Sequence, residues 1–425
     1  MKEIALLFPG QGTQHIGMGK KYYDRYTVVK RTFEEAGDIL GFDLATLCFQ
    51  GDMDELTRTE NAQPAILTAS VAAFKVYMEE IGETPRLSAG HSLGEISALT
   101  CAGAIKFTDA VNIVRQRGRF MQESAALGTG GMCAVGGVDR KVIEDECLRV
   151  STPENTVGIS NINSPEQITI SGHKAAIDIV SEKLKNMGAK VTSLKVSAPF
   201  HSPLMKEAAE KLNEELKKYE YYELKWPVIS NVDALPYSGG SDIIHNLTVQ
   251  VLKPVQWQAT MEYLKRQEIR FAIELGPKSL LKSLVAQGTY GFTVFSYDRD
   301  EDVKALTNIS TAKSQQSKKN TAHAPTVVTR CMAIAVCTKN QNWDNDEYNK
   351  GVIEPYRAIQ QMQEEIERED KEPTVEQMTK ALEMLRSVFI TKRTPVTEQM
   401  ERFNQIFDET GTRRLFTDFN MPAEA

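Results

Sequence analysis

The sequence of 425 residues predicts an α/β fold with a mainly parallel sheet, a smaller inserted module and a helical C-terminal tail. Short apolar runs alternate with helical patterns at the start of the chain and again after residue 198, which is typical of a parallel sheet covered by helices. Between these parts the order is β-α-β-β-α-β, and after residue 327 only helical periods remain. The predicted domains are a core of residues 1–127 and 198–306, an inserted module of residues 128–197, a linker of residues 307–326 and a tail of residues 327–425.

The core is predicted to begin with a buried strand, Ile4 to Phe8, followed by a glycine-rich turn over residues 9–14. A helix from Thr68 to Ile81 and a longer one from about Thr108 to Ser124 come next. After the inserted module the core resumes with the helix Pro203 to Tyr219, the strand Val228 to Asn231, the helix Ile243 to Val251 and the strand Phe271 to Leu275.

The inserted module has four strand-like runs and two helical ones, in the order of a ferredoxin-like module. The last predicted strand leads directly back into the core. The predicted strands are Met132 to Val138, Val157 to Ile162, Gln167 to Ser171 and Ala189 to Val196, and the predicted helices are Arg140 to Val150 and Lys174 to Met187.

The tail follows a stretch rich in Ser, Thr, Gln, Lys and Asn, which indicates a linker. Three amphipathic helices are predicted, with apolar positions at 353–366, 375–389 and 396–407. Thr374 and Gln377 are spaced as a capping box, and Gly411 is placed to end the last helix. Residues 321–425 hold 13 Lys+Arg and 18 Asp+Glu, so the tail is acidic. It contains no catalytic constellation, and its role is left unassigned.

Composition narrows the classes of function. A net charge of −7 argues against a general nucleic-acid binder, and no basic run suggests a membrane surface. The N-terminal apolar run is too short for a signal peptide, and no later run is long enough to span a bilayer. The six cysteines contain no C-x-x-C pair, so neither a zinc site nor a disulfide framework is predicted. We expect a cytoplasmic protein with no permanently bound cofactor or metal.

The sequence Gly90-His91-Ser92-Leu93-Gly94 carries the pattern G-x-S-x-G. An apolar, strand-like run precedes it and a helix-forming run follows it, which is the context of a nucleophile elbow. A serine on such a turn lies at the positive end of a helix with its backbone exposed. The alternative is a pattern met by chance in a glycine-rich loop. We predict Ser92 as the nucleophile of an acyl-transfer reaction.

A serine hydroxyl needs a base, and His201 is the best placed of the six histidines because it lies on a proline-bracketed turn where the chain returns to the core. A capping or surface histidine is the alternative. His91 neighbours the serine, but adjacent residues of an elbow point apart, so it is interpreted as structural support. Acyl chemistry also needs donors for an oxyanion, and the backbone N–H groups of Leu93 and Gln11 are the expected pair.

Seven motifs together make the chain resemble the malonyl-CoA:acyl carrier protein transacylases, including the discrete acyltransferases of fatty acid and polyketide synthesis. The resemblance covers about residues 1–300. In chain order, the motifs are Phe8-Pro9-Gly10-Gln11-Gly12-Thr13-Gln14, Gly90-His91-Ser92-Leu93-Gly94-Glu95, Arg117-Gly118-Arg119-Phe120-Met121-Gln122, Asn163-Ser164-Pro165-Glu166-Gln167, Phe200-His201-Ser202, Gln250 with Pro254-Val255-Gln256-Trp257, and Glu274-Leu275-Gly276-Pro277.

The resemblance implies a hydrolase-like α/β core with a ferredoxin-like insertion. It further implies that Ser92 carries the malonyl ester and that His201 acts as base and then as acid. A main-chain carbonyl at Gln250 would orient the imidazole in place of the carboxylate of a triad. Gln11 and Leu93 would form the oxyanion hole.

The resemblance also implies that Arg117 pairs with the free carboxylate of malonate. A bidentate guanidinium suits that task, since malonyl differs from acetyl only by this group. The alternative is that Arg115, Arg117 and Arg119 form a solvated helix face; the Arg-Gly sequence singles out Arg117. Phe200 resembles the residue of malonyl-selective members and is expected to crowd an α-methyl branch, although stand-alone bacterial enzymes often carry a smaller residue there.

The leading hypothesis is transfer of malonyl from malonyl-CoA through Ser92 to the phosphopantetheine thiol of an acyl carrier protein. The alternative is a hydrolase on the same fold that releases acyl groups from carriers, and a third possibility is a docking protein whose active part is the tail. Because CoA and carrier proteins are acidic, binding requires a local basic surface. Lys185, Lys190 and Lys195 are candidates for it, and scattered solvated lysines are the simpler interpretation.

Overall fold

The chain forms two compact units, Met1–Ser310 and Thr311–Ala425. The computed structural model describes residues 3–125, 128, 130–194, 196, 198–309, 325–369, 371–417 and 419. Most of the predicted linker, residues 310–324, lies outside the described residues. The finer boundaries of the inserted module and of the linker stay predictions.

The larger unit is built on a parallel sheet of five strands in the order β7-β2-β1-β8-β9. Its central strand is completely apolar and buried, as expected for a parallel strand covered on both faces. The predicted α/β fold with a mainly parallel sheet is confirmed. The strands are β1 (Ile4–Phe8), β2 (Leu87–Gly90), β7 (Val228–Ile229), β8 (Phe271–Glu274) and β9 (Thr293–Ser296).

Helices pack around this sheet and bring the motifs to its carboxyl edge. The most important are α5, which is buried over most of its length, and α7, which packs along it. The helices are α1 (Lys20–Tyr23), α2 (Thr27–Leu40), α3 (Leu44–Gln50), α4 (Met53–Thr57), α5 (Thr59–Glu80), α6 (Leu93–Cys101), α7 (Phe107–Ala125), α8 (Arg140–Val150), α9 (Lys174–Asn186), α10 (Lys206–Leu216), α11 (Gly240–Gln250), α12 (Trp257–Arg266), α13 (Leu280–Val285) and α14 (residues 300–309).

The inserted module has the predicted order β-α-β-β-α-β and forms an antiparallel sheet in the order β4-β5-β3-β6. Helices α8 and α9 cover it and share a separate apolar core with it. Two backbone hydrogen bonds, Ile162 N–H to Val255 O and Val255 N–H to Ser160 O, tie its edge strand to the larger core. Its strands are β3 (Gly130–Gly136), β4 (Val157–Ser164), β5 (Gln167–His173) and β6 (Lys190–Ser193).

The second unit is helical and has its own apolar core, in which Phe389 packs edge-to-face on Phe403. The predicted capping box of Thr374 and Gln377 is present, and Gly411 ends the last helix with a φ of 65°. The prediction of three helices was incomplete, because it did not include α15, in which nine of the eleven residues are apolar and Thr329 and Arg330 are the two polar ones. The helices are α15 (Val327–Cys337), α16 (Asn345–Tyr348), a π-helical turn (Asn349–Ile353), α17 (Glu354–Arg368), α18 (Val375–Thr391) and α19 (Val396–Thr410). Among the described residues no helix is long and apolar enough to cross a membrane.

The turn between β2 and α6 is held by glycines at three backbone crossings. A Cβ at Gly90 would lie 1.9 Å from the carbonyl of Gly94, and a Cβ at Gly94 would lie 2.0 Å from the carbonyl oxygen of Phe8. A Cβ at Gly10 would lie 2.4 Å from the carbonyl oxygen of His91. No side chain fits at these distances, so the turn, the end of β1 and the loop after β1 are pressed together.

We predict that Gly94→Ala destabilises the larger unit by about 1–3 kcal/mol or more, because the new methyl group meets backbone that cannot move aside. Gly158→Ala is the matched control, since a Cβ there meets nothing within 4 Å. Thermal unfolding of both variants measures the difference. Equal unfolding midpoints for the two variants would contradict the packing described for this turn.

Candidate active site

Ser92 lies at the turn between β2 and α6 with φ 53° and ψ −110°, a conformation that non-glycine residues seldom adopt. Its Oγ is 2.8 Å from Nε2 of His201. Its backbone N–H donates to Oδ1 of Asn231 at 2.7 Å. The strained backbone thus holds the hydroxyl against the predicted base at the N-terminal end of α6.

His201 also has a positive φ, 57°, and is 3% exposed. Its Nδ1 lies 2.7 Å from the main-chain oxygen of Gln250. A carbonyl oxygen only accepts hydrogen bonds, so Nδ1 carries the proton and Nε2 is left to accept the proton of Ser92. Gln250 ends helix α11, where carbonyl groups have no partner within the helix. The contact predicted at Gln250 is therefore a main-chain one.

The environment of His201 favours the neutral imidazole. Burial is the larger cause and the nearby Arg117 cation the second, and together they lower the pKa of His201 to about 3. The imidazole is therefore unprotonated, and able to accept a proton, at any pH near neutrality.

Arg117 is 1% exposed and points from α7 into the site. Its Nη1 donates to Oε1 of Gln63 at 2.9 Å, and its Nη2 donates to Oε1 of Gln250 at 2.9 Å and to Oγ of Ser92 at 3.2 Å. Nε has no hydrogen-bond partner within the described part of the chain. Burial lowers the pKa of Arg117 to about 10, so the side chain remains charged at neutral pH.

Gly118 explains why Arg117, and not its neighbours, faces the serine. A Cβ at Gly118 would lie 2.6 Å from the carbonyl oxygen of Thr59, so α7 approaches the start of α5 at this point. Arg115 turns away and binds the carbonyl of Glu60 at 2.8 Å. Arg119 is exposed and donates to Oε1 of Gln116 at 3.5 Å. One arginine of the three is thus directed into the site.

The two predicted oxyanion donors lie on the two segments pressed together at the turn. Leu93 is the first residue of α6, and N–H groups at this position have no partner within the helix. Gln11 follows Gly10, which lies against the backbone of His91. The side chain of Gln11 donates to Thr59 Oγ1 at 3.4 Å. The oxyanion hole stays a prediction that this placement supports.

The remaining predicted residues lie at the edge of the site or outside it. Phe200 is buried beside His201, and its carbonyl accepts from Ser171 Oγ at 2.8 Å; its role in acyl selectivity stays a prediction. Lys185 and Lys190 are exposed on the inserted module. Lys195 lies outside the described residues.

Sequence reasoning missed several polar residues that complete the site. Glu95 and Asn231 are fully buried beside Ser92, and Gln63 is buried against Arg117. His91 contacts Asn163 of the inserted module, with 2.8 Å between Nε2 and Oδ1. The available signal was a polar residue inside an apolar helix, since Gln63 stands in α5 and Glu95 in α6 among apolar neighbours.

A serine in a strained turn at a helix N-terminus, paired with a buried neutral imidazole, defines a serine-dependent acyl-transfer enzyme. Residues 5–334 match the family model described as "Acyl transferase domain". The chain belongs to this acyltransferase family.

Two relatives found by sequence carry the same name. The chain is 38% identical to a malonyl CoA-acyl carrier protein transacylase of Bacillus subtilis over 400 residues, which cover 94% of this chain and 99% of the relative. It is 43% identical to the transacylase of the same name from Escherichia coli K12 over 285 residues, which cover 67% of this chain and 92% of the relative. The first match includes most of the second unit, since 94% of the chain is aligned.

Solved structures of malonyl transacylases also align with this chain. FabD of Acinetobacter baumannii aligns with a TM-score of 0.71 and 36% identity, over 73% of this chain and 99% of that one. A malonyl-transacylase solved with its holo type II PKS acyl-carrier protein aligns with a TM-score of 0.70 and 40% identity, over 72% and 100% of the two chains.

We predict that Ser92 keeps its reactivity toward phenylmethylsulfonyl fluoride as the pH falls from 8 to about 5, because the pKa of His201 is held near 3 rather than at its ordinary value of 6.5. The measurement is the rate of covalent modification followed by intact mass. Arg117→Ala removes the nearby cation and should move the acid limb to higher pH. A wild-type rate that falls with a midpoint near 6.5 would contradict the depressed pKa.

Proposed function

We propose that this protein transfers malonyl from malonyl-CoA through an ester on Ser92 to the phosphopantetheine thiol of an acyl carrier protein, in polyketide or fatty acid biosynthesis. The observation that carries the proposal is the buried Arg117 guanidinium, which touches Ser92 Oγ and forms no ion pair with any described residue. A carboxylate on the acyl group supplies the missing anion. The names of the relatives and the carrier complex support the same reaction.

The first half-reaction acylates the serine. Nε2 of His201 takes the proton of Ser92 Oγ as the oxygen attacks the thioester carbonyl. The developing oxyanion is stabilised by the backbone N–H groups of Leu93 and Gln11. The C–S bond then breaks, His201 returns the proton to the departing sulfur, and CoA leaves as the thiol.

The second half-reaction reverses these roles. The thiol of the carrier gives its proton to His201 Nε2, and the sulfur attacks the ester carbonyl. The bond from the carbonyl carbon to Ser92 Oγ breaks, and His201 returns the proton to that oxygen. The other proton stays on Nδ1, which donates to the Gln250 carbonyl throughout, and this keeps the imidazole in one tautomer.

The acyl group is selected by charge. Nη2 of Arg117 lies 3.2 Å from Ser92 Oγ, so a malonyl ester places its free carboxylate where the guanidinium can bind it. An acetyl ester leaves the buried cation without an anion, which is costly in a desolvated site. A general acyl hydrolase, the alternative on this fold, gains nothing from such a cation. The same position of Arg117 favours transfer of malonyl over hydrolysis of unspecified acyl groups.

The proposal includes a carrier protein as partner and no nucleic acid or membrane. Lys185 and Lys190 are exposed on the inserted module and are available to an acidic partner. The reaction needs no bound cofactor or metal, because the acyl group and both thiols belong to the substrates. The cytoplasm is the proposed location, consistent with six free cysteines.

We predict that Arg117→Ala lowers the rate of malonyl loading from malonyl-CoA by roughly 10²–10³-fold, the range for removing one partner of a buried charge pair. Loading from acetyl-CoA should fall far less, so the preference for malonyl is lost. Intact mass after reaction with each thioester measures the acyl-enzyme. The exposed Arg119→Ala is the control and should keep the preference. Loss of both acyl groups in equal measure would contradict the role of Arg117.

The acidic helical unit is proposed as a docking module that leaves the chemistry unchanged. It has its own apolar core and is aligned in the Bacillus subtilis relative. We predict that a chain ending at residue 310 keeps the rate of Ser92 acylation and loses its preference among carrier proteins. Competition between two holo carriers for the malonyl group measures that preference. An unchanged preference would contradict the docking role.

A further inference from the structure

Glu95 is a buried carboxylate that the acyl-transfer steps do not use. It lies on α6, three residues after Ser92, and is 0% exposed. Oε2 accepts hydrogen bonds from Gln250 Nε2 at 2.6 Å and from Asn231 N–H at 3.1 Å, and Oε1 accepts from the Tyr237 hydroxyl. A carboxylate so deeply buried carries a large desolvation cost, so its contacts indicate what it does.

The contact between Glu95 and Gln250 links the carboxylate to the base, the arginine and the nucleophile. Gln250 binds His201 through its main-chain oxygen and Arg117 through its side-chain oxygen, at 2.7 and 2.9 Å. Its side-chain nitrogen donates to Glu95 and to the carbonyl oxygen of Ser92, the latter at 3.0 Å. Glu95 therefore binds a residue that contacts the base, the arginine and the nucleophile.

The chemistry of the contact determines which way the amide of Gln250 points. Oε2 of Glu95 accepts from two N–H groups, so it requires the NH2 end of the Gln250 side chain. The oxygen end is then left to face the guanidinium of Arg117. Without Glu95 the NH2 group keeps only the longer contacts with the Ser92 carbonyl, at 3.0 Å, and with Asn231 Oδ1, at 3.4 Å, among the described residues, so the amide is held less firmly.

The contact between Glu95 and Asn231 links the carboxylate to the backbone of Ser92. Asn231 donates its backbone N–H to Glu95, accepts from the backbone N–H of Ser92 at 2.7 Å and donates to the carbonyl of Gly90 at 2.7 Å. The backbone of Ser92 is strained, and strained positions persist only where the surroundings hold them. Glu95 thus supports the turn as well as Gln250.

Glu95 is neither the carboxylate of a triad nor a direct partner of Arg117. Nδ1 of His201 binds the Gln250 carbonyl, and Gln250 stands between Glu95 and the guanidinium. This spacing leaves Arg117 without a carboxylate partner in the described part of the chain. A direct ion pair would have to be broken by each incoming carboxylate.

We propose that Glu95 is a positioning residue, which sets the orientation of Gln250 and thereby aligns His201 with Ser92 and Arg117 with the acyl carboxylate. The second part of this role rests on the proposed malonyl transfer, whereas the first part concerns only the activation of Ser92.

The role depends on Oε2 as a hydrogen-bond acceptor and holds in both protonation states. Burial is the main cause that raises the pKa of Glu95 to about 7, while Tyr237, Gln250, Asn231 and Arg117 act in the opposite direction. A proton, when present, resides on Oε1 beside the Tyr237 hydroxyl, because Oε2 faces two N–H donors. An amide reproduces this protonated form, with its oxygen toward Gln250 and its nitrogen toward Tyr237.

The test compares Glu95→Ala and Glu95→Gln with Glu274→Ala. Glu274 is a matched control, since it is equally buried with a pKa also raised to about 7, but its carboxylate caps α13 through the N–H groups of Leu281 and Lys282. Three quantities are measured for each: the thermal midpoint, the rate of Ser92 modification by phenylmethylsulfonyl fluoride, and the loading from malonyl-CoA and acetyl-CoA. Where Glu95→Ala does not fold, Glu95→Leu replaces it, because leucine fills the space without an acceptor.

We expect Glu95→Ala to lower both Ser92 modification and malonyl loading by about 10²-fold, the scale of a small misplacement of catalytic groups, and to reduce the preference for malonyl over acetyl. Glu95→Gln should restore both rates to within about tenfold of wild type. Glu274→Ala should lower the thermal midpoint and keep both rates and the preference.

Two results would overturn the proposal: a folded Glu95→Ala with wild-type rates and preference, or a Glu95→Gln variant as impaired as Glu95→Ala. A wild-type protein that takes no malonyl from malonyl-CoA would instead contradict the proposed function. The sulfonyl fluoride measurement remains valid in that case and still decides whether Glu95 aligns His201 with Ser92.

Discussion

The buried guanidinium of Arg117 is the constraint on which the site depends. A cation at 1% exposure needs full hydrogen bonding or an anion, and the described residues provide two glutamine oxygens and the serine hydroxyl but no ion pair. These hydrogen bonds keep Arg117 charged. Because no described residue forms an ion pair with it, the guanidinium can still bind a carboxylate. Selection of the substrate is linked to the position of the nucleophile, since one nitrogen of Arg117 contacts Ser92.

This cation also affects the base. Arg117 is one of the causes that lower the pKa of His201, after burial. A malonyl carboxylate bound at Arg117 neutralises that cause, so the proton affinity of the imidazole rises when the correct acyl group is in place. Acetyl has no such effect. Binding of the malonyl carboxylate to Arg117 and the resulting rise in the pKa of His201 therefore both favour malonyl over acetyl. Gln250 contacts both of these residues.

The elbow and the base were predictable because Ser92 and His201 stand in short motifs whose residue types match a chemistry, whereas the role of Arg117 followed from the resemblance. Ser92 stands between two glycines whose absent side chains are required by backbone contacts of about 2 Å. The contribution of Gln250 also followed from the resemblance, since the predicted helix end at Val251 does not show which side chain binds a main-chain carbonyl there. Glu95, Asn231 and Gln63 were missed because a polar residue in an apolar segment does not show its partners, and these partners lie far away in the sequence. The helix α15 was missed for a different reason, since nine of its eleven residues are apolar, and Thr329 and Arg330 are too few polar positions to define a helical period.

The most direct test is the fate of the malonyl group after it leaves malonyl-CoA. The protein is incubated with malonyl-CoA and a holo acyl carrier protein, and the masses of both proteins are followed with time, with Ser92→Ala as the control. The account predicts a transient malonyl ester on the wild-type chain, a carrier heavier by one malonyl group, and neither species with the Ser92→Ala chain. Free malonate without a loaded carrier would contradict transfer and would identify the protein as a hydrolase.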